Sequence, residues 1–191
     1  MAKRTADEYR ALITEKLGLF GEAIGPIEEF RGDVTVWVPR EQLLAVCEFL
    51  RDDPDLRFDL LSDVTALDRS LLPDNTPRFV NILHLMSIKF CHRLRVKTPV
   101  PEDDCWCPSV TSIWPTADWH ERETYDMFGI EYRGHPDLRR ILMPDGWQGW
   151  PLRKDFPLGG VKSFYYKRDT HPHIGEPPDL IPRIRVQDSD I

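Results

Sequence analysis

The residues able to do chemistry crowd into one stretch, WHERETYDMFGI at 119–130, which runs on into EYRGHPDLRRILMPDGWQGWPLRKDFP. Glu123 and Asp126 stand three apart, a spacing that on a helix puts two carboxylates on one face, as an acid/base pair or half a metal site requires. His135, His171 and His173 are the imidazoles that would join them. A second ligand group would centre on CWC, with Cys105 and Cys107 as thiols and His84, Cys91 and His92 as further donors. The spacing favours the blander reading of both. ExxD is common and has no companion of the HExxH kind here, and the three histidines sit in proline-rich segments where a solvated ring is the usual explanation. Zinc sites come as two close ligand pairs, whereas Cys47, Cys91, Cys105 and Cys107 supply one, so they read as small buried or loop thiols. No GxSxG, P-loop or GxGxxG is present, Gly159-Gly160 is a turn signal, and no motif for NAD, flavin or an iron-sulfur cluster appears.

Without a reaction centre, the stretch has to be read as a surface. At 100° per residue a helix starting near Thr116 groups Ala117, Thr124, Met127 and Phe128 inward, with Glu121 and Tyr125 at the edge of that side. Asp118, Arg122, Glu123 and Asp126 fall on the opposite arc, where the i,i+4 pairs Asp118–Arg122 and Arg122–Asp126 describe a solvated face. Glu121 needs a partner so close to the apolar side, and Arg122, Arg133, Arg139, Arg140 and Arg153 are on offer. Gly129 suits a left-handed C-cap. Beyond it, prolines recur at 136, 144, 151, 157, 172, 177, 178 and 182 among aromatics and charges, with no apolar face lasting two helical turns. Such a segment is disordered or lies along another surface, and its Arg, Trp and Tyr content is that of protein interfaces.

The elements that must position this stretch are legible upstream. DEYRALITEKL sets Tyr9, Leu12, Ile13 and Leu17 on one helical stripe, with Asp7 as N-cap and Gly18 as stop. AIGPIEEF and DVTVWV flank Arg31-Gly32 as a hairpin. Pro39 opens a second helix with Leu43, Leu44, Cys47 and Leu50 inward, closed by Asp53-Pro54. RFDLLSDVTALD leads to a polar loop at 68–77, and then RFVNILHLMSIK and RLRVKTPV pair around FCHR. In the second of these, Leu94 and Val96 face one way and Arg93, Arg95 and Lys97 the other, so one side of the sheet is wet or meets a partner. The expected fold is α+β, a mixed β-sheet packed with helices over residues 1–130, followed by an extended Arg/Pro/aromatic-rich loop and arm over 131–191.

Bulk composition narrows the partners. A net charge of -7 over 191 residues without a long Lys/Arg run argues against nucleic acid and against a basic membrane-binding helix. The longest apolar run, FVNILHLMSI, is about half of the ~20 residues a spanning helix needs. The opening MAKRTADEYR has neither an apolar signal core nor the composition of a transit peptide, and reads as a cytosolic start.

The continuous string ERETYDMFGIEYRGHPDLRRILMPDGWQGWPLRKDFPL closely resembles the signature of the 30-kilodalton, C-type subunit of respiratory NADH:quinone oxidoreductase, complex I. FDLLSDVTALD, RLRVKTPVPEDD and PSVTSIWPTADWHERE extend the resemblance over residues 27 to 160. It departs at CWC, where relatives usually carry small or β-branched residues, and at Trp150, where a His is common. The resemblance implies a peripheral-arm subunit that binds no cofactor itself, FMN, iron-sulfur clusters, NADH and quinone belonging to the assembled complex. It implies packing against the large quinone-site subunit and near the subunit with the terminal cluster, at the cytoplasmic face of the bacterial inner membrane. The signature residues carried over are Glu121, Arg122, Glu123, Tyr125, Asp126, Gly129, Gly134, His135, Pro136, Arg139, Arg140, Pro144, Pro151, Arg153, Lys154, Asp155 and Pro157. Two alternatives stand beside it. One is the equivalent subunit of a ferredoxin- or deazaflavin-dependent relative or a membrane-bound hydrogenase; the other is an independent metal-dependent enzyme built on Glu123, Asp126 and the histidines.

Overall fold

The computed structural model describes residues 5–74, 77–144 and 146–157. Helix α1 spans Ala6–Leu17 and buries Tyr9, Ile13 and Leu17, the expected stripe. Its start differs from the sequence reading. Thr5 is the cap, its Oγ1 accepting from Glu8 N–H at 3.3 Å while Glu8 Oε2 accepts from Thr5 N–H at 2.8 Å, a reciprocal capping box that a lone Asp7 could not form. Gly18 ends α1 as its C-cap, as the sequence reading has it, but in a right-handed conformation (φ -55°), and a 3-10 helix then runs Gly18–Ala23 with its kink at Gly21 (φ 67°).

The hairpin forms as β1 (Ile27–Phe30) and β2 (Asp33–Trp37), with both turn residues at positive φ, Arg31 at 55° and Gly32 at 86°, the geometry that matches strand twist. Pro39 opens only a turn, its carbonyl accepting from Gln42 N–H at 3.1 Å, and α2 begins at Leu43 and ends at Asp52. That delay rotates the stripe, so Val46 joins Leu43, Cys47 and Leu50 in the core while Leu44 is left exposed. Strands β3 (Leu60–Asp68), β4 (Phe79–Ser87) and β5 (His92–Val100) complete a five-stranded sheet of order β1-β2-β5-β4-β3, antiparallel except for the β2/β5 pair. The expected α+β class with a mixed sheet holds. Val34, Val36, Leu61, Val64, Leu83, Leu85, Leu94 and Val96 meet the helices in one core.

A bulge between Leu61 and Asp63 keeps Leu61 and Val64 on the same face of β3. The outer edge of β3 is closed by helix α3 (Ala117–Phe128), because Thr116 Oγ1 donates to Leu61 O at 3.3 Å and Thr124 Oγ1 to Val64 O at 3.1 Å. Two side chains thus occupy strand acceptors that would otherwise invite another chain. Three-residue strands β6 (Trp106–Pro108) and β7 (Glu131–Arg133) pair in parallel on either side of α3 and are too short to carry a periodic signal. Beyond Pro157 the C-terminal arm lies outside the described residues.

Candidate functional site

The last turn of an α-helix exposes four carbonyls with no partner inside the helix. In α3 every one of them is met. Gly129, left-handed at φ 76°, donates its N–H to Tyr125 O at 2.9 Å; Arg140 Nη1 donates to Asp126 O at 3.2 Å; Leu152 N–H donates to Met127 O at 3.1 Å; and Arg153 Nε donates to Phe128 O at 2.6 Å. The loop after the helix therefore folds back over the helix end. A side chain at Gly129 would collide with it, since an added Cβ would lie 2.5 Å from the Trp150 ring and 2.8 Å from Arg153 Nη2.

Asp126 sits at the centre of this arrangement, with a fully buried side chain. Its Oδ2 accepts from the N–H groups of Ile141, Leu142 and Met143 at 3.1, 2.8 and 2.8 Å, and its Oδ1 accepts from Arg140 Nη1 at 2.7 Å. Burial alone would push this carboxyl up; the Met143 amide, Arg140 and the Leu142 and Ile141 amides outweigh it and hold the group below its ordinary value. Helical period puts Asp126 on the solvated arc, and the loop returning over the helix is what buries it. Arg122 likewise leaves its i,i+4 carboxylates and donates from Nε to Arg139 O at 3.2 Å and from Nη2 to Arg140 O at 3.5 Å.

Aromatic rings fill the remaining space. Arg140 lies 4.4 Å from the Trp150 ring, Trp150 meets Tyr125 edge to face at 5.3 Å, and Arg153 lies 4.8 Å from the Phe79 ring. The end of the loop is tied to the sheet: Lys154 N–H donates to Asp68 Oδ2 at 2.9 Å, and Arg78 reaches Asp68 at 3.1 Å, Asp155 at 2.9 Å and also Glu102. Sequence reasoning misses Asp68 and Arg78, because no local pattern marks them. His135, with a fully buried ring, accepts from Asp137 N–H at Nδ1 (3.0 Å), which leaves Nε2 as the donor to Asp118 O at 3.1 Å. Gly134 takes a positive φ of 89° after β7, and Pro144 O accepts the turn bond from Trp147 N–H at 3.1 Å. Pro151 is half-buried, while Pro136, Pro157, Glu123 and Arg139 face solvent.

Glu121 is fully buried, and none of the five arginines offered by the sequence reaches it. Its Oε2 shares a 2.6 Å hydrogen bond with Ser109 Oγ, and its Oε1 accepts from Val110 N–H at 2.7 Å. Burial dominates, the two hydrogen bonds oppose it incompletely, Asp118 adds to it, and the carboxyl is pushed up to about 7. Burial also raises the nearby thiols of Cys47 and Cys107, which remain protonated at neutral pH.

This geometry has a chemical consequence. Glu123 and Asp126 cannot act as a pair, because one is exposed and the other has its oxygens filled by four donors. A metal at Asp126 would have to displace backbone amides and Arg140 together. Among the described residues no three His, Cys, Asp or Glu side chains converge as ligands, and His171 and His173 lie outside those residues. The site is a helix end and returning loop bonded to each other and to the edge of the sheet.

The family of the respiratory-chain NADH dehydrogenase 30 Kd subunit matches residues 36–162. A C-type subunit of NADH-quinone oxidoreductase from Citrifermentans bemidjiense is 49% identical over 162 residues, which span 85% of this chain and 97% of that one. Among solved structures, the Nqo5 trypsin-resistant fragment (1-134) is 34% identical, spans 67% of this chain and 98% of its own, and superposes with a TM-score of 0.58. A chain of the membrane-bound sulfane sulfur reductase, an archaeal respiratory membrane complex, shares the fold at 21% identity, with a TM-score of 0.65 and spans of 86% and 99%. The chain belongs to the family of the 30-kilodalton, C-type subunit of NADH:quinone oxidoreductase.

Proposed function

We propose that this peripheral-arm subunit of complex I buttresses the quinone-reducing module. Its α3–loop unit and the arm over 131–191 hold in place the large quinone-site subunit and the subunit with the terminal iron-sulfur cluster. The observation that carries this reading is the complete capping of α3 by its own following loop. Asp126, Arg140, Arg153 and Gly129 are occupied within the stretch, and Glu121 by Ser109 and Val110, so what α3 and its loop offer outward is exposed side chains such as Trp119, Glu123, Arg139 and Leu142. Rigid placement matters to electron transfer between neighbours because an error of about 1 Å near a reacting centre costs substantial rate.

On this reading FMN, the clusters, NADH and quinone are held by other subunits, and the chain reaches the cytoplasmic face of the bacterial inner membrane through them. No helix among the described residues is long and apolar enough to cross a membrane. NADH as donor is favoured over ferredoxin, deazaflavin or hydrogen by the names of the relatives, while the archaeal likeness bears on fold alone. Affinity purification of the tagged chain from gently solubilised membranes, with subunit identification and a NADH:quinone reductase assay, tests the proposal. A flavin and iron-sulfur assembly with that activity is expected. Recovery of the bare chain would refute it.

A further inference from the structure

The helices cover one face of the five-stranded sheet, and alternation along β5 decides what the other face carries. Leu94, Val96 and Thr98 turn into the core, so Arg93, Arg95 and Lys97 point the other way. Strand register supplies their neighbours: Arg95 lies between Thr35 and His84, Lys97 between Trp37 and Ile82, and Arg93 beside Met86. Three cations thus stand in line on an inner strand of a chain whose net charge is -7. They are compensated only in part: Glu28 and Asp63 lie in the row of Arg95 and Asp33 adjoins Arg93, yet among the described residues no carboxylate bonds Arg93 or Lys97. Arg95 Nη2 is 3.7 Å from Asp33 Oδ2 and its Nη1 donates to Thr35 Oγ1 at 3.3 Å; Lys97 Nζ rests 4.9 Å from the centre of the Trp37 ring; and the Arg93 guanidinium has no ion pair or hydrogen bond among the described residues. Beside them opens a cleft of about 460 Å³ walled by Asp33, Asp63, His84, Met86, Arg93 and Arg95.

We propose that this open sheet face docks a carboxylate-rich segment of a neighbouring subunit, laid along β5 with an acidic side chain seated in the cleft against Arg93 and Arg95. Charge decides the occupant. An apolar partner would bury Arg93 and Lys97 without counter-charges, and a basic partner would be repelled by the row; an acidic one completes it, and a guanidinium fork receives a carboxylate through two parallel hydrogen bonds. Asp33 and Asp63 flank the cleft and disfavour a carboxylate placed to either side, which fixes the register of the incoming chain along the strand. None of the signature residues lines this cleft, so the subunit would hold neighbours through a second site as well.

The inference rests on the reading of the chain as a complex I subunit, and the experiment separates the two. Photo-reactive benzoylphenylalanine replaces Met86 in the complete complex, and the cross-linked peptide is identified by mass spectrometry. In parallel the Arg93→Glu/Lys97→Glu variant is compared with Arg10→Glu on the exposed side of α1 for retention in the complex across a salt series. The expected results are a cross-link to a segment of another subunit with a surplus of Asp and Glu, and retention of the double variant weakened on the order of tenfold at low salt, the deficit narrowing as salt screens the charges. A cross-link to a neutral or basic segment, no cross-link, or equal retention of both variants would overturn the inference while leaving the subunit reading intact. Failure of the otherwise unaltered tagged chain to enter the complex would overturn both.

Discussion

Replacing Glu121 by Gln should remove a pH dependence from the stability of this protein. The carboxyl titrates at 4.5 when solvated and at about 7 in the fold, raised first by burial. Between those values the folded chain retains a proton that the unfolded chain has released, so stability is fully present below pH 4.5, falls as pH rises, and levels off above about 7. At about 1.4 kcal/mol for each pH unit, the gap amounts to about 3 kcal/mol. Gln reproduces the protonated acid: its carbonyl can accept from Val110 N–H and its amide can donate to Ser109 Oγ, whose own hydrogen can turn to Thr111 Oγ1 at 2.8 Å.

The assay is urea unfolding of wild type and Glu121→Gln at pH 4.5, 6 and 8. The informative quantity is the difference between the two proteins, because all other titrations cancel in it. His84, whose ring is lowered first by burial and then by Arg95, would otherwise run in the opposite direction by stabilising the fold as pH rises. The expected difference grows in favour of the variant by about 3 kcal/mol from pH 4.5 to pH 8. A difference that stays level across that range would mean Glu121 ionises as it does in water, and the account of its burial would be wrong.

Gly129→Ala should destabilise the fold by about 3 kcal/mol, because it adds backbone strain at φ 76° to a collision with Trp150 and Arg153; a urea midpoint measures it. Arg140→Ala leaves Asp126 buried with only its three amide donors and uncaps Asp126 O, for a loss of about 3 kcal/mol. Arg139→Ala leaves the unfolding midpoint unmoved, since that side chain is exposed and its ion pair with Asp137 lies at the surface. It should still lower recovery of the chain in assembled complex, read from blue-native gels. On the acid side, Asp126 is held below its ordinary 3.8, so the stability it confers is present above that value and lost as pH falls through the depressed one; Asp126→Asn should flatten the decline in thermal midpoint below pH 4.

The sequence makes legible those elements whose signal is local. Tyr9, Ile13 and Leu17 share a face because helical period alone decides it, Arg31-Gly32 turns because a short hairpin demands positive φ, and Gly129 caps because glycine tolerates the left-handed region. The misses have a common cause in partners distant along the chain. Asp126 looks solvated until residues 140–143 return to its helix. Glu121 is correctly singled out as needing a partner, yet its partners are a hydroxyl and an amide from 109–110, and nothing in their spacing announces them. Arg78 and Asp68 anchor residues 154–155 from far upstream, where no periodicity reaches. The start of α2 is a different kind of miss: proline at 39 is compatible with a helix and with a turn, and the turn prevails.

On the proposed reading, the anchoring explains how this subunit can hold its neighbours in position. An exposed ion pair yields to water and salt and sets direction weakly. The α3–loop unit is held instead by four capped carbonyls, a buried carboxylate with four donors, and a glycine contact that leaves no room for displacement. Arg78 then joins the far end of the loop to β3 and β4 through Asp68 and Asp155. Moving this unit relative to the sheet would also break the bonds of Thr116 to Leu61 O, Thr124 to Val64 O and Lys154 N–H to Asp68. On the same proposed reading, Arg139, exposed on this unit, is the side chain whose replacement tests contact with a neighbour.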